Sequence, residues 1–196
     1  MYREDGKGVG SGVAGNARLT GALAAALLVL LAAEGVTIPF IGSLLGPHIF
    51  IGMLLLPPVA LKLASTGYRF ARYYTGSPPY VLKGPPHPAL RLLAPGVVLT
   101  TVALFGTGIA LLLAGPPSNT LIFAHKASFI AWVVLMTIHV LAHLLELPAL
   151  TLPDWRRGSG EARLAGAGLR VMALGSTVVG GVVLAALTLS LTRAWL

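Results

Sequence analysis

Five stretches of this chain stay apolar for about twenty residues at a time, the length an α-helix needs to cross the hydrocarbon core of a bilayer. They are Leu19 to Phe40, His48 to Phe70, Leu92 to Ala114, Thr120 to Leu147 and Val171 to Thr192. Inside lipid each backbone N–H and C=O must find its partner within the protein, and a helix satisfies nearly all of them internally. The fold class that follows is all-α: an integral membrane helical bundle of five transmembrane helices. Composition agrees, since 56% of the 196 residues are hydrophobic and 10% are charged, well outside the usual range for a soluble domain.

The polar segments divide the chain. Residues 1–17 are Gly-rich and polar and are expected to be a flexible cytoplasmic tail. Residues 18–148 hold four of the spans, and residues 149–196 a basic loop and the fifth. A cleaved signal peptide is the rival reading of the first span, with small residues near Ala33, but apolar character continues past Glu34 to Ile41. An uncharged link, Gly42 to Pro47, precedes the second span, where Pro57 and Pro58 remove backbone donors and predict a kink. The segment from Tyr68 to Arg91 is Pro-rich, reads as a structured loop and contains His87. Gly115 to Asn119 reads as a tight turn, and the fifth span, with Gly175, Gly180 and Gly181, as a helix that packs closely to cover the bundle.

Absence of cysteine excludes disulfides, thiolate zinc sites, iron–sulfur clusters and covalently attached haem. The formal charge of +8 argues weakly for nucleic acid, because the basic residues are scattered between apolar runs rather than gathered on one face. They are sorted by side instead. If the helices alternate in direction, every Lys and Arg except Lys126 and Arg193 falls on one side of the membrane. The positive-inside rule then puts the amino terminus in the cytoplasm and the carboxyl terminus outside, in a multi-pass protein of the cell's inner (plasma) membrane.

Chemistry concentrates in the fourth span, TLIFAHKASFIAWVVLMTIHVLAHLLEL. His125 and His139 are 14 residues apart, close to four helical turns, so they share a face and are separated by roughly 21 Å. Ionisable side chains inside a membrane are costly and usually face a bundle interior or a cofactor. The spacing fits two haem planes stacked across one bilayer. A b-type haem needs two axial ligands from facing helices, and neutral imidazole is the usual one. His48 starts the second span at the same depth as His125, with Gly52 one turn away leaving room for a porphyrin; these two are the candidate ligands of an outer haem iron. Two interfacial histidines bonded to backbone or headgroups are the bland alternative. His139 is the candidate ligand of an inner haem iron, and Lys62, 14 residues after His48, has the matching depth. An ammonium cannot bind iron, so Lys62 would have to be neutral. Otherwise it snorkels to the inner headgroups beside Arg69. His87 is the other candidate if its loop folds back, and the inner haem is absent if neither serves. His143, one turn beyond His139, suits a haem propionate or a quinone. Arg69 and Arg72, in a belt with Tyr68, Tyr73 and Tyr74, can pair with propionates. Glu34 and Glu146 near span ends are candidate proton-handling groups or simply solvated acids.

This pattern resembles the di-haem membrane cytochrome b superfamily that includes the gamma subunits of formate dehydrogenase and the cytochrome b subunits of nickel–iron hydrogenases. The resemblance rests on His48, His125 and His139 and covers roughly residues 18–148. In that family the fourth span carries two histidines 14 apart and a second-span histidine completes the outer haem. The family's inner haem takes its other ligand from the first span, where this sequence departs, because Asn16 to Thr20 contains no histidine. The resemblance implies two haem b groups and electron transfer between a quinone or quinol and a redox partner at the outer face, as an electron-transfer protein or a subunit of a quinone-linked oxidoreductase. Expected partners are membrane lipid, the quinone, that redox protein and, as a homodimer, a second copy of the chain. A haem-free, proton-coupled transporter or channel using Lys62, Glu34 and the histidines is the alternative class; the inverted repeats that would favour it are not seen.

Overall fold

The computed structural model describes residues 9–84, 88–116, 118–144 and 166–195. Within them the chain is helical and contains no strand: α1 (Val9–Thr37), α2 (Ile41–Tyr74), the short α3 (Pro78–Lys83), α4 (Pro88–Ala114), α5 (Asn119–His143) and α6 (Ala167–Thr192). All but α3 are long and apolar enough to cross a membrane. Their side chains lie mostly at the surface, with large apolar groups such as Leu92, Leu99, Phe123, Ile130, Leu169 and Leu187 exposed, as expected where lipid is the solvent. The protein is therefore a multi-pass membrane protein.

Two tight hairpins set the architecture. Three residues, Ile38 to Phe40, join α1 to α2. Their amides are taken up by short-range turns, Ile38 N–H to the Gly35 carbonyl at 3.3 Å and Phe40 N–H to the Thr37 carbonyl at 3.2 Å. A link this short forces antiparallel packing, so residues equidistant from Ile41 meet: Glu34 with His48, and Thr20 with Lys62. The second hairpin joins α4 to α5 through Gly115, whose φ of +68° favours glycine, and through Ser118, whose hydroxyl caps α5 by accepting from the Leu121 amide at 3.4 Å. Across it, buried Trp132 donates from Nε1 to Thr101 Oγ1 at 3.0 Å, and Gly96 lies against Leu135.

Helix α6 packs along α2, to a smaller extent along α1, and touches α4. The closest approach is at Gly181, where a Cβ would overlap the carbonyl of Leu54. That carbonyl lacks its usual helical donor because the residue four positions on is Pro58, which has no N–H. The exposed acceptor is thus covered by a glycine Cα from the neighbouring helix, a geometry suited to a weak Cα–H···O contact. Leu55, Pro58 and Ala185 are almost completely buried around it.

Several boundaries differ from those the sequence suggests. Helix α1 begins at Val9, so residues 9–17 are helical rather than tail; Asn16 and Thr20 explain this, because both bond to Ser65 of α2 and extend the hairpin seam. The Gly42–Pro47 link belongs to α2. Non-helical dihedrals in α2 occur at Leu44 (φ −111°, ψ 20°) and not at Pro57 or Pro58; Pro47 supplies no amide to the Ser43 carbonyl, which places the irregularity there. Tyr68 to Tyr74 continue α2, and α3 folds back so that buried Tyr80 meets Tyr68 edge-on with centroids 6.0 Å apart. Of the three glycines singled out in the fifth span, Gly181 makes a close approach, whereas Gly175 and Gly180 have open space before them.

Candidate functional site

The end of α1, the start of α2 and the middle of the α4–α5 hairpin bring His48 and His125 together. Their ring centroids are 6.3 Å apart with planes at 82°. Each ring is tied back through the same nitrogen. His48 Nδ1 lies 2.9 Å from Glu34 Oε1 and 2.9 Å from Thr37 Oγ1. The Thr37 hydroxyl donates its own hydrogen to the Glu34 carbonyl at 2.6 Å, so toward His48 it accepts. Nδ1 is then the protonated nitrogen. His125 Nδ1 lies 3.1 Å from Thr107 Oγ1, and that hydroxyl donates to the Ala103 carbonyl at 2.7 Å, which fixes the same tautomer. The side-chain hydrogen bonds of both rings fall on Nδ1, and His125 also bonds the Leu104 backbone; a ring that carries its proton on Nδ1 keeps the Nε2 lone pair for a metal.

Haem fits this arrangement. Two imidazoles bound axially to one metal, each at about 2 Å and each with a ring radius of roughly 1 Å, have centroids about 6 Å apart. Holding the remote N–H of a ligand histidine by a carboxylate or an oxygen acceptor is the usual support for such ligation. Gly108 makes room for one ring, since a Cβ there would come within 3.2 Å of His125 Cε1. Helix α5 packs chiefly on α4, and α2 and α5 approach each other through the two imidazoles rather than along their backbones. Among the described residues no group of three or more His, Asp or Glu is placed to hold a bare ion, and an axial pair needs only two.

Gly52 has a different role from the one its spacing suggests: the space beside it is taken by Glu34, whose Oε1 would lie 3.6 Å from a Cβ at Gly52. The Glu34–His48 contact is the part of the site that reading each span separately misses. Hairpin arithmetic reveals it, because Thr20 and Glu34 repeat on α1 the 14-residue step that His48 and Lys62 make on α2 and His125 and His139 on α5.

At the other level of the bundle Lys62 Nζ donates to the Thr20 carbonyl of α1 at 2.7 Å, beside a seam in which the Thr20 and Ser65 hydroxyls are 2.8 Å apart. Lys62 lies near His139 and Arg69. His139 and His143 stack edge-on with centroids 5.0 Å apart. Lys62, His139 and the Thr20 turn in the first half of α1 thus share a level, and the lysine is tied to α1 at Thr20. Arg69 is partly buried and Arg72 exposed; Arg91 donates to the Tyr74 hydroxyl at 2.6 Å. His87 and Glu146 lie outside the described residues.

Scans of protein-family models, curated proteins and solved structures found no match to this chain.

Proposed function

We propose that this protein is a di-haem b-type membrane cytochrome carrying electrons across the bilayer between a quinone pool and a redox partner at the outer face. One observation carries the reading: His48 and His125, from facing helices, lie 6.3 Å apart with both Nδ1 atoms tied back. Haem b, when bound, supplies a one-electron carrier at each level. The residues of the chain do the rest. His48 and His125 hold the outer group, with Glu34, Thr37 and Thr107 fixing their tautomers. His139 holds the inner group, and the Lys62 amine is the candidate for the opposite face, standing in for a ligand that α1 does not provide. Donation to the Thr20 carbonyl aims Lys62 at this level without using the nitrogen lone pair of a neutral amine. Arg69 and Arg72 would neutralise propionates, and His143 would meet a propionate or a quinone headgroup. The asymmetry of Lys and Arg supports an amino terminus in the cytoplasm, a carboxyl terminus outside and residence in the inner membrane.

The test is optical. Protein purified from haem-replete cells should be red, with Soret and α bands that sharpen on dithionite reduction. Acid acetone should extract all the colour, because no cysteine is present to attach haem covalently. A colourless preparation, or one whose spectrum ignores reductant, contradicts the proposal.

A further inference from the structure

Resting on the haem reading above, we infer that Glu34 is a positioning residue of the outer haem that sets its reduction potential through His48. The two axial imidazoles are backed by different chemistry. His125 gives its Nδ1 proton to a neutral hydroxyl, Thr107, whereas His48 faces a carboxylate at 2.9 Å. A hydrogen bond to a carboxylate leaves more electron density on the imidazole than one to a hydroxyl, and an electron-rich ligand stabilises the oxidised metal. Glu34 Oε2 is buried without a hydrogen-bond partner, and among the described residues neither Lys nor Arg forms an ion pair with Glu34. A buried carboxylate of this kind needs a positive neighbour, which the ligated His48 ring provides when the metal is oxidised. Gly52 keeps the approach open, and Thr37, bonded to the Glu34 carbonyl and to His48, holds the pair in register.

Glu34→Gln is the informative variant, because it keeps an oxygen that accepts from His48 Nδ1 and removes only the charge. In an equilibrium redox titration of the purified full-length protein, the outer haem is identified as the component missing from His125→Ala. In Glu34→Gln both haems should be retained, and the reduced-to-oxidised ratio of the outer one at fixed ambient potential should rise about tenfold, equivalent to 59 mV for a one-electron couple. The inner haem should not move and serves as the internal standard. An unmoved outer potential with full haem content overturns the inference. If Glu34→Gln cannot hold the outer haem, Glu34→Ala decides, because it removes the charge and leaves Thr37 Oγ1 as the acceptor for His48 Nδ1. Retention with a raised potential supports the assignment, while retention at the wild-type potential, or loss of the haem from this variant too, marks Glu34 as purely structural and overturns it. Failure of the cytochrome reading itself is told apart by the wild-type spectrum alone.

Discussion

At the scale of single residues, the side chains that matter act in pairs. His48→Ala or His125→Ala should each remove the outer haem and spare the inner one, lowering extractable haem by about half, since each ligand faces the same metal from its own helix. Full haem content and an unchanged low-spin spectrum in either variant would show the pairing to be wrong. Lys62→Met should leave the inner haem high-spin or lost, and Lys62→His should restore a bis-imidazole spectrum; unchanged low-spin EPR signals from both haems in Lys62→Met would reject the amine as a ligand and turn attention to His87. The histidines could be found from the sequence because an imidazole inside an apolar run is conspicuous, and a 14-residue step carries its own geometry. Glu34 could not be ranked in the same way. A carboxylate near a span end is commonly solvated, and only the three-residue link between α1 and α2 brings this one to His48. Gly52 shows the same limit, since the room it leaves serves Glu34.

At the scale of elements, polar contacts join the helices into hairpins, and shape joins the hairpin to α6. The Gly181–Leu54 contact allows no side chain, so Gly181→Leu should force α6 away from α2 at a cost of about 2 kcal/mol, read as a lower unfolding temperature in detergent. Gly180→Leu, one residue away and facing open space, should leave that temperature unchanged. Equal effects of the two would contradict the close Gly181–Leu54 contact. Thr101→Val, which strips buried Trp132 Nε1 of its acceptor, should cost about 1 kcal/mol. The five spans were legible because a hydrophobic run of membrane length has few alternatives as a fold. Their ends were less so: α1 starts earlier than its apolar run because Asn16 and Thr20 bond across to Ser65, and α2 starts earlier than His48 because Gly42 to Pro47 complete its first turns. Hydropathy does not detect polar groups that pair between helices.

At the scale of the whole molecule, the arrangement predicts a direction. On the proposed topology, with the basic side in the cytoplasm, the His48–His125 level would lie toward the outer surface and the Lys62–His139 level toward the inner one, so a quinone and an external redox protein would exchange electrons through two centres roughly 21 Å apart along the membrane normal. Because the chain has no cysteine, single cysteines can be added without background. One in the turn at Pro116 should react with a membrane-impermeant maleimide in intact cells, and one at exposed Thr75 only after lysis; the reverse pattern would invert the topology. The central claim is met most directly by the pyridine haemochrome assay on purified protein of known concentration. The account predicts haem b at two per chain, falling to one in His125→Ala. Protein that carries no haem when haem is abundant would contradict it.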